Sequence, residues 1–164
     1  MKFVRIAFGD SQGIVRLSAL ACAIVKEYYD GLLGAAQNDY MIEKFQSVPA
    51  ITAQLENGYQ YYIIEQDGIP VGFVGFYPTG KGMYLSKFYL DGSVRGQGLG
   101  KAALAFIIEK TKAAQMQRIY LNVNKYNESI KAYEKMGFVR IGDEVNDIGN
   151  GYVMDDYVYE YAIN

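Results

Sequence analysis

The spacing of hydrophobic residues changes along this 164-residue chain, and the order of those changes limits the folds that are open to it. Residues 11–29 have apolar side chains at helical spacing, whereas the middle of the chain has β-rich runs separated by turn residues. We predict strands at 2–7, 59–65, 69–77, 82–90, 118–124, 138–142 and 152–163. We predict helices at 11–29, 38–46, 49–56, 98–114 and 128–135.

This order of elements predicts an α/β (α+β) fold, in which helices cover both faces of a mixed sheet. Gln66-Asp67-Gly68 is a hairpin signal between two of the strands. Gly31 and Gly34 are expected to end the first helix. No repeat, low-complexity tract or linker divides the sequence, so we expect a single domain over residues 1–164.

The chain contains no histidine and a single cysteine, Cys22. Ser-His-Asp triads, Cys-His dyads and His-ligated zinc all need an imidazole, and one thiol cannot build a thiolate metal site. The expected chemistry therefore uses no metal and depends on Tyr, Asp, Glu, Lys, backbone amides or a bound cofactor. A lone cysteine cannot form an intrachain disulfide, which favours a reducing cytoplasm.

Charge and hydropathy argue against two further classes of protein. The 16 basic and 18 acidic side chains give a formal net charge of -2, whereas a general nucleic-acid binder has a basic face. No apolar stretch reaches the roughly 18 residues of a membrane helix, and residues 1–5 lack the apolar core of a secretory leader. We expect neither a nucleic-acid partner nor a membrane.

A glycine-rich turn lies between the predicted strand 82–90 and the helix that follows it. It is the run Arg95-Gly96-Gln97-Gly98-Leu99-Gly100-Lys101. Backbone N–H groups in such a turn can approach a ligand closely, and a helix start adds partial positive charge. With Arg95 and Lys101 the run predicts a pyrophosphate site. The alternative is a tight turn that needs glycine for its geometry alone.

The spacing of the glycines excludes two nucleotide-binding motifs. A dinucleotide fingerprint is Gly-x-Gly-x-x-Gly, and a P-loop has Ser or Thr after its Gly-Lys. Here the run is Gly-x-Gly-x-Gly, and Ala102 follows Lys101.

Two motifs together resemble those of the GCN5-related N-acetyltransferase (GNAT) superfamily. Residues 95–100 fit Arg/Gln-x-x-Gly-x-Gly/Ala, and residues 127–138 resemble that superfamily's second signature, a helix ending in Tyr-Glu-Lys-x-Gly-Phe. Residues 37–47 are more weakly similar to bacterial acetyltransferases of polyamines and related amines. The resemblance implies a single domain with a mixed, mostly antiparallel sheet whose fourth and fifth strands splay apart.

The resemblance also implies a cofactor, acetyl-CoA, with coenzyme A as product. Its pantetheine arm would enter between the splayed strands and pair with the backbone of Phe88, Tyr89 and Leu90. The amides of Arg95, Gly96, Gln97, Gly98, Leu99, Gly100 and Lys101 would hold the pyrophosphate. Asn127 would meet the pantetheine, although its spacing to Tyr133 is six residues and the family's is seven.

Tyr133 would lie near the thioester sulfur and act as the catalytic acid. A phenol with a pKa of about 10 can protonate a thiolate whose conjugate acid has a pKa of about 8.5 only with help from its surroundings. The alternative is a core aromatic beside Ile130 and Phe138. The identity of the general base stays open, because strand 82–90 contains no carboxylate. Our preferred interpretation is a chain of water molecules that leads to a more distant carboxylate.

The acceptor is expected to be a primary amine, and a polyamine or another small cationic amine is the candidate. Residues 141–164 contain six acids and no Lys or Arg, and Asp155 is the acid that we assign to the ammonium. Tyr28, Tyr29 and Tyr40 are the candidate pocket wall. The alternative for the acids is a solvated strand and loop, and the alternative for the tyrosines is ordinary packing. Two other functions also fit the sequence: a protein or peptide acetyltransferase, and a CoA-binding sensor without turnover.

The predicted final strand, residues 152–163, either lies in the core or pairs with its counterpart in a homodimer.

Overall fold

The computed structural model describes residues 1–164, which form seven strands, five α-helices and a 3₁₀ turn at Gly92–Val94. The strands are β1 (Lys2–Ile6), β2 (Gln60–Gln66), β3 (Ile69–Thr79), β4 (Gly82–Leu90), β5 (Arg118–Asn124), β6 (Val139–Gly149) and β7 (Tyr152–Ala162). The helices are α1 (Ser11–Leu33), α2 (Ala35–Gln46), α3 (Val48–Glu56), α4 (Leu99–Ala113) and α5 (Ser129–Lys135).

All seven strands belong to one sheet with the order β1-β2-β3-β4-β5-β7-β6. The pairs β1–β2, β2–β3, β5–β7 and β6–β7 are antiparallel, whereas β4 runs parallel to β5. The predicted α/β class with a mixed, mostly antiparallel sheet is therefore confirmed. β7 lies inside this sheet, with β5 on one side and β6 on the other. No helix has both the length and the apolar character to cross a membrane.

The chain forms two compact units. The first unit contains residues 1–77 and 87–97, and the second contains residues 78–86 and 98–164. Strand β4 contributes its first residues to the second unit and its last residues to the first.

The core of the first unit lies where α1 and α3 pack against the sheet. Asp10 caps α1, because its side chain accepts a hydrogen bond of 3.0 Å from the amide of Gly13. The buried residues of this core are Ile6, Ile14, Leu17, Ala21, Ile24, Val25, Tyr29, Ile51, Leu55, Tyr61, Ile63 and Phe73. Both faces of β2 are buried, since every residue from Tyr61 to Ile64 is at most 6% exposed.

In the second unit, α4 packs against β5. Ile119, Leu121 and Val123 are buried, whereas the residues between them are half-buried, as expected for a strand with one face in the core. α4 contributes its own apolar face, which buries Leu99, Ala103, Leu104, Ile107 and Thr111.

The second helix begins at Ala35 rather than at residue 38, and two predicted ends were also wrong. Gly31 does not end the first helix; α1 continues to Leu33 and ends at Gly34, whose φ is 84°. Glycine inside a helix costs only about 1 kcal/mol, which the buried face of α1 can offset. β6 does not stop at residue 142 but extends to Gly149, because it pairs with β7 along nearly its whole length.

Candidate active site

The glycine-rich run has the backbone conformation that its sequence suggests. Gly96 and Gly98 have φ values of 78° and 76°, in the left-handed region that favours glycine. A side chain at either position would meet nothing within 4 Å, so backbone conformation rather than crowding explains these glycines. No side chain caps the start of α4 at Gly98, and its first turn contains no acid. The amides at this helix start can therefore face a negatively charged group.

Four of the predicted residues come together in the first unit. The rings of Tyr28, Tyr29 and Tyr89 have their centroids 5.8–6.2 Å apart, and we call them the tyrosine cluster. The Arg95 guanidinium lies 4.4 Å from the centroid of the Tyr28 ring. Tyr28 and Tyr29, which were assigned to the acceptor pocket, thus contact residues that were assigned to coenzyme A.

The segment Phe88–Leu90 is held tightly against β3. A side chain at Gly72 would collide with the carbonyl oxygen of Tyr89, and the amide of Asp91 donates a 2.7 Å hydrogen bond to the carbonyl of Val71. Gly72 is therefore required for the close approach of the two strands. Tyr40 lies on α2, where the Lys44 ammonium is 5.8 Å from its ring centroid.

Tyr133 lies half-buried on α5, in the second unit. Its ring makes an edge contact with Phe138, with the centroids 5.5 Å apart, and Phe138 in turn contacts Tyr161. This packing fixes the direction in which the Tyr133 ring leaves the helix. The contact with Phe138 is also the one that a purely structural tyrosine would make.

Asn127 is buried and stabilises the start of α5. Its Oδ1 accepts a 2.8 Å hydrogen bond from the amide of Ser129, and its carbonyl accepts one from the amide of Ile130. Asn127 therefore fixes the position of the helix that carries Tyr133, whatever else its side chain binds.

Lys87 is a buried cation that the sequence did not single out. It is 5% exposed, and its Nζ donates hydrogen bonds to the Phe45 carbonyl and to the side-chain oxygens of Gln46 and Gln54, at 2.5–3.1 Å. Burial lowers the pKa of Lys87 to about 7. The side chain thus joins β4 to the junction of α2 and α3 inside the first unit.

Asp155 is engaged by a neighbouring cation. Lys125 lies 3.0 Å from its carboxylate and 3.3 Å from that of Asp143. These two acids raise the pKa of Lys125. The carboxylate assigned to the acceptor ammonium is therefore already paired within the protein.

The next residue, Asp156, lies on the opposite face of β7 and is 1% exposed. It stands directly across from Asn124, and Asn122 donates a hydrogen bond to its carboxylate. The Tyr84 hydroxyl donates to Asn122 Oδ1 at 3.2 Å. A chain of polar side chains thus crosses β4, β5 and β7 within the second unit.

Consecutive residues of a strand face opposite ways, so Asp155 and Asp156 cannot both face one site, and the sequence alone gives no means to choose between them. The information that distinguishes the two acids is which strand pairs with β7, and that strand is β5. β5 reads Arg-Ile-Tyr-Leu-Asn-Val-Asn, and its polar residues share a face with Asp156. The structure also shows no cluster of three His, Cys, Asp or Glu side chains that could hold a metal ion.

The sequence model of the acetyltransferase (GNAT) family matches residues 23–138. The chain belongs to this family. The resemblance drawn from the two motifs is therefore confirmed, and the enzyme class is that of the N-acetyltransferases.

One curated relative and two solved structures are similar to this family member. The peptidyl-lysine N-acetyltransferase YjaB of Salmonella typhimurium is 31% identical over 99 residues, which are 59% of this chain and 61% of the relative. The chain thus matches less than two thirds of that protein's length.

The structural relatives cover nearly the whole chain. The PaiA N-acetyltransferase of Thermoplasma acidophilum, solved with coenzyme A, aligns over 98% of both chains with a TM-score of 0.76 and 16% identity. A GCN5-related N-acetyltransferase of Rhodopseudomonas palustris covers 99% of this chain and 95% of its own, with a TM-score of 0.79 and 14% identity. At such identities the likeness concerns the fold.

Proposed function

We propose that residues 1–164 form one catalytic domain that transfers an acetyl group from acetyl-CoA to a primary amine. The observation that carries this proposal is the glycine-rich run, which combines two left-handed glycines with an uncapped helix start. Family membership supports the donor and the reaction class. The half-buried free thiol of Cys22 suits a reducing compartment, and we propose the cytoplasm as the location.

The residues of the glycine-rich run fit a pyrophosphate. Amides of the run from Arg95 to Lys101 would donate to its oxygens, while Arg95 and Lys101 supply formal positive charge. The backbone of Phe88, Tyr89 and Leu90 would pair with the pantetheine arm in the manner of an added strand. Asn127 would contribute a polar contact to the same arm.

Acetyl-CoA supplies an activated thioester, so the protein needs only to orient an amine and manage protons. Tyr133 would donate the proton that the departing thiolate takes up. Its edge contact with Phe138 would hold the ring in one direction for this role. A backbone N–H near the acetyl group would polarise its carbonyl.

A small cationic amine, such as a polyamine, is our first candidate for the acceptor. The tyrosine cluster supports it, because aromatic faces attract cations. The lysine side chain of a peptide is the second candidate, supported by the 31% identical peptidyl-lysine relative. Both acceptors present an alkyl ammonium.

Thiol release from acetyl-CoA tests the proposal and separates the acceptors. We expect the full chain to release free thiol when spermidine is added, and to release less with a panel of lysine peptides. A preference for peptides would favour the second candidate. Acetyl-CoA binding without thiol release on any amine would show a CoA-binding sensor and would contradict the proposed function.

Gly98→Ala should weaken acetyl-CoA binding by about 10-fold and cost about 1 kcal/mol of stability. The reason is that alanine disfavours a φ of 76°, so the amides at the start of α4 shift. Gly142→Ala is the control, since Gly142 has open space around it and no positive φ. Calorimetric titration with acetyl-CoA measures the affinity; equal affinities for the two variants would contradict the role of the run.

A further inference from the structure

Asp156 combines deep burial with an unused hydrogen-bonding oxygen. The residue is 1% exposed, yet its Oδ1 has no hydrogen-bond partner in the protein. Buried side-chain oxygens are nearly always paired, so each exception calls for an explanation. A carboxylate held in this way has an oxygen that is free to accept a proton.

Asp156 lies beside the carboxyl end of β5, where this strand and β4 form a parallel pair. It stands opposite Asn124, the last residue of β5, and β5 runs parallel to β4. Ligands of open α/β sheets bind outside the carboxyl ends of parallel strands. A short segment that contains Asn127 follows Asn124 and leads into α5, the helix on which Tyr133 lies.

A chain of hydrogen bonds fixes the orientation of the carboxylate. The Tyr84 hydroxyl donates to Asn122 Oδ1, so the amide nitrogen of Asn122 is the group that donates to Asp156. Tyr84 is itself held by the Tyr120 ring, with the centroids 4.9 Å apart. One oxygen of Asp156 is thus anchored, and Oδ1 keeps a defined direction.

The surroundings of Asp156 raise the pKa of its carboxyl group towards the value that a base needs at neutral pH. Burial raises its pKa to about 6, and the nearby charges of Glu144 and Asp155 add to the rise. The hydrogen bond from Asn122 and the charge of Lys125 act in the opposite direction. At pH 7 the group is still mainly ionised, and a base is most effective when its pKa lies near the working pH.

We propose that Asp156 accepts the proton of the incoming ammonium through one bridging water, an inference that rests on the proposed acetyl-transfer function. The amine N–H bond breaks and an O–H bond forms on Oδ1. The freed nitrogen lone pair bonds to the acetyl carbon as the carbon–sulfur bond breaks. The thiolate takes a proton from Tyr133, which recovers one from the acylated nitrogen, and Asp156 returns its proton to solvent.

Asp156→Asn tests the proposal, with Asp67→Asn as the matched control. Asparagine keeps the shape of the side chain but cannot accept the proton; Asp67 lies exposed in the β2–β3 turn, at a φ that asparagine tolerates. We expect kcat/KM for the best amine at pH 7 to fall by about 100-fold in Asp156→Asn and to stay unchanged in the control.

The pH profile separates this role from a structural one. Wild-type kcat/KM should rise through pH 6 and then level, whereas that of Asp156→Asn should keep rising with pH as solvent removes the proton. The melting temperature at pH 7 should stay the same or increase, because the ionised form of a buried acid with a raised pKa disfavours folding. Acetyl-CoA affinity should not change.

Two outcomes are decisive in different ways. An Asp156→Asn variant with wild-type kcat/KM and pH profile would overturn this assignment and leave acetyl transfer intact. Absence of thiol release from the wild-type protein with every amine would overturn the proposed function itself.

Discussion

Tyr133→Phe should lower kcat by about 100-fold, because it removes the hydroxyl proposed to protonate the departing thiolate. The phenyl ring is kept, so the edge contact with Phe138 and the packing of α5 remain. Acetyl-CoA affinity should therefore stay at the wild-type value. Single-turnover kinetics and calorimetric titration measure the two quantities separately.

Tyr126→Phe is the control for this experiment. Tyr126 lies in the same part of the chain and loses the same hydroxyl, but it is 77% exposed. We expect its kcat to match that of the wild-type protein. If Tyr133→Phe also turns over at the wild-type rate, the residue is a core aromatic and the acid must be sought elsewhere.

The second large effect concerns stability and Lys87. Because burial lowers its pKa from 10.5 to about 7, the unfolded chain binds more protons than the folded chain between these values. The contribution of Lys87 to the free energy of unfolding should therefore rise by roughly 2 kcal/mol between pH 7 and pH 9. Below pH 7 this gain in the free energy of unfolding is absent, since Lys87 is protonated in both the folded and the unfolded chain.

Lys87→Met should remove this rise, whereas Lys112→Met, at an exposed lysine of α4, should keep it. Urea unfolding at pH 7, 8 and 9 measures the free energies of the three proteins. Equal slopes against pH for Lys87→Met and the wild-type protein would show that the ammonium keeps its charge in the fold. Its three oxygen acceptors would then outweigh the cost of burial.

Local signals in the sequence were sufficient for most of the fold. The hairpin at Asp67-Gly68 forms with φ values of 51° and 78°, as a type I′ turn requires. The same signal stands at Asn150-Gly151, where φ is 55° and 78°, and it explains why β6 extends to that turn. Asn150-Gly151 is therefore a local signal that marks the full length of β6.

The end of α1 could not be predicted in the same way. Gly31 is tolerated because α1 buries a long apolar face, and the energy of that packing depends on residues far along the chain. The site shows the same limit. Lys87 is buried by α2 and α3, and Asp156 is distinguished from Asp155 only by its neighbours on β5. Such tertiary contacts leave no trace in local spacing.

The outer strand β6 affects how copies of the protein behave in concentrated solution. Val139, Ile141 and Val145 are 50–64% exposed on this strand, and a flat apolar edge strand is a template for aggregation. Two register shifts break its regularity, and its acids, Asp143, Glu144 and Asp147, repel those of another copy at neutral pH. Solubility at low pH is thus tied to the ionisation of β6, a strand on which Ile148 is the one buried residue.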